Sequence, residues 1–279
     1  MRKTIRKMMQ VFLWRLLQLR IGAVKKKSLL RPTVIIAPHQ DDEVLGCGGT
    51  IARLRQCGVS VTIIFLSDGA NSHSNKMAPE MMAQLRNREA LNAAAIMGVE
   101  PKNVHFIPIC NHGHPVNSEH ADKLLLPLLE SIPADNYFIP YRHEQQLDHA
   151  NAATVSLSVI DKLKKDTLIM EYPIWFWEHR PWMTSTIFSP SGFFDQARHS
   201  VRSLWRLFAH FNYYVDVTEM RQLKKTALSA YESQMTRFEN DATWPILPDV
   251  SSGDFLNCLN RDKEIFSCSW HLGNTTRND

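Results

Sequence analysis

Apolar and polar positions follow two alternating rhythms along this chain, and the alternation predicts its elements. Thr33–Ala37 and Val59–Leu66 (VSVTIIFL) are nearly unbroken apolar runs rich in β-branched residues. That pattern belongs to strands covered on both faces. Val104–Ile109, Tyr137–Tyr141 and Leu168–Tyr172 repeat it. Between these runs the spacing becomes helical. Gly49–Gln56 reads as a helix closed by Gly58. Glu80–Met97 carries Met81, Leu85, Leu91, Ala94 and Ala95 at helical spacing, with Gly98 behind it. Ser118 through Ile132 follows, kinked by Pro127, and then Asp148–Lys164. Strand and helix in strict alternation predict an α/β fold: a Rossmann-like three-layer α/β/α sandwich on a mostly parallel sheet, with right-handed crossovers.

After Tyr172 the rhythm changes. Residues 173–212 are aromatic-rich and irregular, Tyr213–Val217 reads as a late strand, and Thr218 opens a helix to about Phe238 with Met220, Leu223, Ala227, Leu228, Tyr231 and Met235 on one face. From Trp244 onward Pro245 and Pro248 make the tail look loop-like. The expected division is an N-terminal segment 1–31, a main domain 32–243 and a C-terminal extension 244–279 that packs on the domain or trails from it.

Charge separates the first segment from the rest. The formal net charge is +4, yet residues 1–31 hold ten basic residues and no acid, leaving 22 basic and 28 acidic residues beyond them, a net of −6. The body of the protein therefore gives no argument for nucleic-acid binding. The longest charge-free run in the segment, Met8–Trp14, is too short to span a bilayer. On a helix, Lys3, Lys7, Gln10 and Gln18 fall away from Met9, Phe12, Leu13, Leu16 and Leu17. This basic amphipathic pattern suits a helix lying on an anionic membrane face, and equally one docked on the body or a partner. Five cysteines, an odd number without CxxC spacing, favour a reducing compartment. The expected location is cytoplasmic, with residues 1–30 as a peripheral contact to the inner membrane face.

The densest chemistry lies in one turn, Ala37-Pro38-His39-Gln40-Asp41-Asp42-Glu43, followed by Gly46-Cys47-Gly48-Gly49. It sits at the end of the first long strand, where open α/β sheets present their sites. Three acids and an imidazole within five residues repel and resist burial unless a cation joins them. His39 and Asp42, three apart in a tight turn, can converge on one ion while Asp41 points elsewhere. A third ligand must come from another loop at the same sheet edge, and His149, at the start of the helix after the fourth strand, is the best placed. Zinc takes such ligands and lowers the pKa of its water to about 7, leaving Asp41 to receive the proton. Two other readings stay open: a magnesium-binding receiver-like module, and acids that serve only as N-terminal helix charges.

The run Pro38–Gly49 closely resembles the hallmark segment of the PIG-L/LmbE-like N-acetylglucosaminyl deacetylase family. Ser67-Asp68-Gly69, Arg86–Glu89 with Ala93–Val99, Asp148-His149, and Lys225–Leu228 with Tyr231–Gln234 resemble the later motifs in the expected order, over about residues 33–236. The resemblance implies zinc on His39, Asp42 and His149, Asp41 as general base, and substrate contacts from Arg86 and Asp68. Arg86 reads equally as a salt-bridge partner of Glu89 or of an acid across the cleft, and Asp68 as a turn former. It also implies removal of an N-acetyl group from an N-acetylated sugar, glycan or glycolipid. Two positions depart from the family pattern. Gln146 stands where the family has a histidine, and glutamine donates a hydrogen bond but supplies no proton. His143, on the same loop, is the candidate substitute. Gln40 replaces a common proline and is expected to loosen the turn. The alternative is a weakened carbohydrate-binding or scaffold protein on the same fold.

Three further features stand out. Trp175-Phe176-Trp177 with Trp182 reads as core or a packed lid. His112 and His114 lack an acid or cysteine to complete a metal site. Arg198, Arg202 and Arg206 recur at helical spacing with Trp205 and Phe208, suited to an anionic patch or a solvated face.

Overall fold

In the computed structural model, which describes residues 2–73, 75–109, 118–183, 193–238 and 241–273, the strand-forming runs pair into a single eight-stranded sheet. Its strands are β1 (Gly22–Ala23), β2 (Thr33–Ala37), β3 (Val61–Phe65), β4 (Val104–Phe106), β5 (Asn136–Pro140), β6 (Thr167–Tyr172), β7 (Tyr213–Asp216) and β8 (Lys263–His271), in the order β1-β7-β8-β6-β5-β2-β3-β4. All neighbours pair in parallel except β8, which is antiparallel to both β6 and β7. The helices are α1 (Arg2–Arg20), α2 (Lys26–Leu29), α3 (Asp42–Gln56), α4 (Pro79–Ile96), α5 (Ser118–Ser131), α6 (Leu147–Lys162), α7 (Phe193–His210), α8 (Arg221–Ser229), α9 (Glu232–Met235) and α10 (Asp254–Leu259).

The two-residue period of the strands sorts the core into two faces. Val34, Ile36, Ile64, Tyr137 and Ile139 pack against Leu125 and Leu129 of α5 and Ala152, Val159 and Ile160 of α6. Ile35, Ala37, Ile63, Phe65 and Phe138 face Val44 and Ile51 of α3, Ala90 and Ala94 of α4, and Ala227 and Leu228 of α8. These are the three layers that the sequence rhythm predicts.

The order of the strands positions the site. From β2 the chain steps outward to β3 and β4, then returns to the other side of β2 as β5. The direction of winding reverses between β2 and β5, and the loops leaving their C-terminal ends diverge to open a crevice there.

Several elements differ from expectation. The helix expected at Gly49 begins at Asp42 and bends at Cys47, whose φ/ψ of −141/17 is non-helical. Its glycines are there for contact. A Cβ on Gly46 would lie 2.3 Å from the Tyr172 ring, and one on Gly49 would lie 2.6 Å from Val217. Glycine lets α3 press on β6 and on the chain after β7. The irregular stretch 173–212 includes the eighteen-residue helix α7. The long helix expected from Thr218 is broken: a 3-10 turn at Thr218–Met220 leads into α8, and Tyr231 leaves the helical region before α9. The loop-like tail contains β8, a nine-residue strand inserted between β6 and β7. The His112/His114 loop lies outside the described residues.

A buried ion pair explains how the tail is fixed. Lys224 Nζ meets Glu264 Oε1 at 2.7 Å, with both side chains withdrawn from solvent. The ammonium also donates to the carbonyls of Leu45 and Leu259. Glu264 accepts from Gly49 N, Thr50 N and Thr50 Oγ1. One strand of the tail thus holds the bend of α3 and α8 together. Replacing one partner leaves the other charge buried without its counterion, which costs about 3–5 kcal/mol, whereas apolar replacement of both is far milder. Glu264→Ala is therefore expected to lower the unfolding free energy by that amount in urea titrations. The double substitution Lys224→Met with Glu264→Leu should recover most of the loss.

Candidate metal centre

His39 and Asp42 leave the C-terminal end of β2 in the turn that opens α3. His149 sits in the first turn of α6, reached from the C-terminal end of β5. Because β2 and β5 are hydrogen-bonded neighbours, the two loops meet over the crevice. Asp42 Oδ2 is the focus. It accepts the His39 backbone N–H at 3.0 Å and lies 3.3 Å from His39 Nδ1 and 3.4 Å from His149 Nε2. One ligand atom from each of His39, Asp42 and His149 falls within 4.8 Å of the others, and Asp42 and His149 are buried. Two imidazoles and a carboxylate at that spacing fit a divalent transition-metal ion, zinc among them.

The adjacent carboxylates diverge. Asp41 has φ 120° and ψ −28°, a strained conformation for a residue with a side chain. It turns its carboxylate away from the imidazoles and toward Arg86, whose Nη2 lies 3.4 Å from Asp41 Oδ2. Glu43 holds this backbone in place: its Oε2 accepts Asp41 N–H at 3.1 Å, and its Oε1 accepts the Tyr231 hydroxyl at 2.5 Å. The break between α8 and α9 brings Tyr231 to that point.

Burial and charge separate the acid strengths of the groups. Burial pushes the Asp41 carboxyl up to about 7; the Arg86 cation pulls it down and the Asp42 charge pushes it up. Burial alone would raise Asp42 too, but the imidazoles of His149 and His39 outweigh it and hold Asp42 below its usual range. Burial opposes charge on His39, yet hydrogen bonds to the carboxylates of Asp148 and Asp42 lift it to about 10. The result is an ionised carboxylate among imidazoles, next to a carboxyl poised to exchange a proton near neutrality.

Of the remaining expected residues, Arg86 is buried and belongs to this cluster. It donates to the Gln40 carbonyl, ion-pairs with Asp41 and lies over the Tyr231 ring. Its partner is the acid of the turn, while Glu89 accepts instead from Ser233 N and Oγ. Arg86 Nε and Nη1 have no hydrogen-bond partner among the described residues. Asp68 accepts from Ala70 N at 3.0 Å, a turn-forming contact. His143 packs against the rings of Tyr141 and His210. Gln146 occupies the N-cap position of α6 without a side-chain capping bond. Neither shows a contact with the three converging ligands.

Gln40 does the opposite of what its sequence position suggests. It is fully buried, and its Nε2 donates to the Ser67 carbonyl at 3.1 Å and to Asn87 Oδ1 at 3.0 Å. The amide ties the turn to the chain after β3 and to α4, bracing what a proline would brace through its ring. Two other residues take part whose roles the sequence left unassigned. Asp148 Oδ2 lies 3.2 Å from His39 Nε2 and orients that ring. Glu144 is buried in the same loop and accepts Ile174 N–H at 2.6 Å, pinning the Trp175–Trp177 segment. Adjacency to His149 was a signal for Asp148; an acid in a polar loop gave none for Glu144.

This geometry predicts which variants empty the centre. Asp42→Asn and His149→Ala should each weaken divalent-ion binding by roughly 100-fold or more, the top of the range seen for supporting residues. Asp41→Asn should retain the ion. Elemental analysis after dialysis against a graded chelator series separates these outcomes.

The chain resembles known proteins. Residues 34–160 match the family described as PIG-L, GlcNAc-PI de-N-acetylase. The diacetylchitobiose deacetylase of Thermococcus kodakarensis is 24% identical over 216 residues, covering 74% of this chain and 70% of its own. The solved structure of N,N′-diacetylchitobiose deacetylase from Pyrococcus horikoshii superposes with a TM-score of 0.61 at 18% identity, over 97% of this chain and 96% of that one. The 4-carboxy-2-hydroxymuconate hydratase of Pseudomonas putida KT2440 superposes with a TM-score of 0.55 at 13% identity, over 89% and 99%. At such identities the likeness establishes a shared architecture, and the hydratase shows that this architecture serves more than one reaction. The family match covers both loops that meet at Asp42, the turn after β2 and the start of α6.

Proposed function

We propose that the protein is a zinc-dependent hydrolase that removes the N-acetyl group from an N-acetylglucosamine-type sugar in a glycan, glycolipid or sugar conjugate. The observation that carries this reading is the division of labour between adjacent carboxylates: Asp42 turned to two imidazoles, Asp41 turned to Arg86. The match of residues 34–160 to the PIG-L family and the likeness to diacetylchitobiose deacetylases support it.

His39, Asp42 and His149 would hold the ion, which when bound supplies Lewis acidity and an acidified water. Asp41 takes the proton of the attacking water as the new C–O bond forms at the acetamide carbon. Arg86 keeps the Asp41 carboxylate in place and offers its remaining N–H groups to an oxygen of the substrate. As the C–N bond breaks, the departing nitrogen needs a proton. Asp41, having just accepted one, is the group on this turn able to return it. Acetate and a free amine are the products. Neither His143 nor Gln146 is required for this proton balance, so the glutamine is compatible with turnover.

The test is acetate release from an N-acetylglucosamine glycoside by zinc-loaded protein. Activity should fall by about 10²–10⁴-fold in Asp41→Asn, the usual worth of a general acid–base group, with bound metal unchanged. Sugar binding without acetate release in the intact protein would favour the scaffold reading that Gln146 motivates. Substitution of His143 by Phe should change kcat by less than about tenfold on this reading, well short of a general acid–base loss.

A further inference from the structure

The N-terminal helix is mounted the wrong way round for a helix that merely completes a core. Its inward face carries polar and mixed residues. Arg6 pairs with Asp254 at 2.6 Å. Gln10 Nε2 donates to the carbonyls of Pro181 and Trp182. Trp14 lies edge-on to Trp177 beneath the Arg261 guanidinium, and Leu17 is buried. These residues recur at three- and four-residue steps along one side. The opposite side is an apolar stripe in water: Ile5, Met9, Phe12, Leu16 and Leu19, with Phe12 61% and Leu19 85% exposed. A stripe of this kind marks a docking surface.

A second helix extends that surface. Ile5 and Met9 of α1 and Val201 and Leu204 of α7 line one groove of about 1050 Å³. On α7, Val201 is 68% exposed and Trp205 63% exposed, flanked by the exposed Arg198 and Arg202. Across both helices the sequence holds nine basic residues and a single acid, Asp195. No helix among the described residues is long and apolar enough to cross a bilayer.

From this juxtaposition we propose that α1 and α7 together form an in-plane docking surface for anionic lipid bilayers, the apolar stripe entering the headgroup boundary and the arginines and lysines meeting lipid phosphates. Charge decides between occupants. A second copy of the chain would set one predominantly basic surface against another. A protein partner would need an acidic apolar surface. An anionic bilayer supplies negative charge and hydrocarbon together, and Trp205 with the flexible basic side chains suits its interface. The surface is tied to the crevice, because α7 ends at His210, whose Nδ1 shares a 2.6 Å hydrogen bond with the Tyr141 hydroxyl on the loop leading to His149. The inference stands apart from the proposed reaction, since it is read by binding alone.

Flotation of the full chain with vesicles tests it. Vesicles of equal parts phosphatidylcholine and phosphatidylglycerol should carry the protein, and vesicles of phosphatidylcholine alone should carry far less. Phe12→Glu and Val201→Glu should each weaken partitioning by about tenfold or more, the worth of one buried apolar side chain. Arg202→Gln should weaken it about fivefold, and added salt should do the same progressively. Light scattering and circular dichroism on each variant check that it remains folded and of unchanged size. Equal flotation on both vesicle types, no flotation on either, or a change of oligomeric state in Phe12→Glu without any vesicle effect would overturn the proposal. Acetate release from a soluble glycoside by Phe12→Glu should match that of the unaltered protein.

Discussion

Asp42 sits between two imidazoles, and Asp41, Glu43 and Glu144 are withdrawn from water around it. Carboxyl groups gathered in this way repel one another and lose hydration, so every segment within reach is recruited to offset them. His39 and His149 face Asp42, Arg86 faces Asp41, Tyr231 donates to Glu43, and Ile174 N–H donates to Glu144. These partners come from the turn before α3, from α4, α6, the chain before α9 and the chain after β6. The crevice is therefore the meeting point of the tertiary structure. Burial raises Glu43 and Glu144 to about 8, which lets them carry protons where a full charge would be most costly. A bound divalent ion would complete the same neutralisation at Asp42.

What the sequence made legible follows from how local each signal is. The turn from Pro38 to Glu43 was readable because its chemistry is concentrated in a few residues after an unmistakable strand. His149 was readable because a neighbouring strand must deliver its loop to the same edge. The central parallel strands were readable because both of their faces are apolar. By contrast β8 opens on the charged pair Lys263 and Glu264 and follows a proline-containing stretch, so the short alternation from Phe266 to His271 was overlooked in what read as a tail. Its place between β6 and β7 depends on Glu264 reaching Lys224, forty residues away in sequence. The resemblance at this point singled out Lys225, which is exposed; the buried cation is its neighbour Lys224. A one-residue shift on a helix turns a side chain by about 100 degrees, enough to exchange core for solvent.

The two glutamines that depart from the family pattern illustrate opposite outcomes. At position 40 a side-chain amide substitutes hydrogen bonds for the rigidity of a ring, and burial makes those bonds effective. The turn is braced, not loosened. At position 146 the amide has no such anchor, and the nearby His143 is engaged with Tyr141 and His210. The reaction we propose therefore assigns the proton transfers to Asp41, the carboxyl whose backbone strain and Arg86 contact set it apart from Asp42. Strain at Asp41 is worth roughly 1–3 kcal/mol, and Glu43 with Tyr231 holds it.

The same reasoning about offsetting partners explains the N-terminal helix. A helix normally spends its apolar residues on the core and its polar ones on water. In α1 Leu17 is buried and Leu13 and Trp14 pack against the core, and beside them stand an ion pair, two hydrogen bonds from the Gln10 amide and a guanidinium stacked on tryptophan. These last contacts are directional, so they fix the rotation of the helix about its axis as well as its position. An apolar face left outside by mere looseness would be free to roll inward. Here Arg6 and Gln10 forbid that rotation, because turning them out would strand Asp254 and the carbonyls of Pro181 and Trp182. The outward stripe is thus imposed by the polar face beneath it.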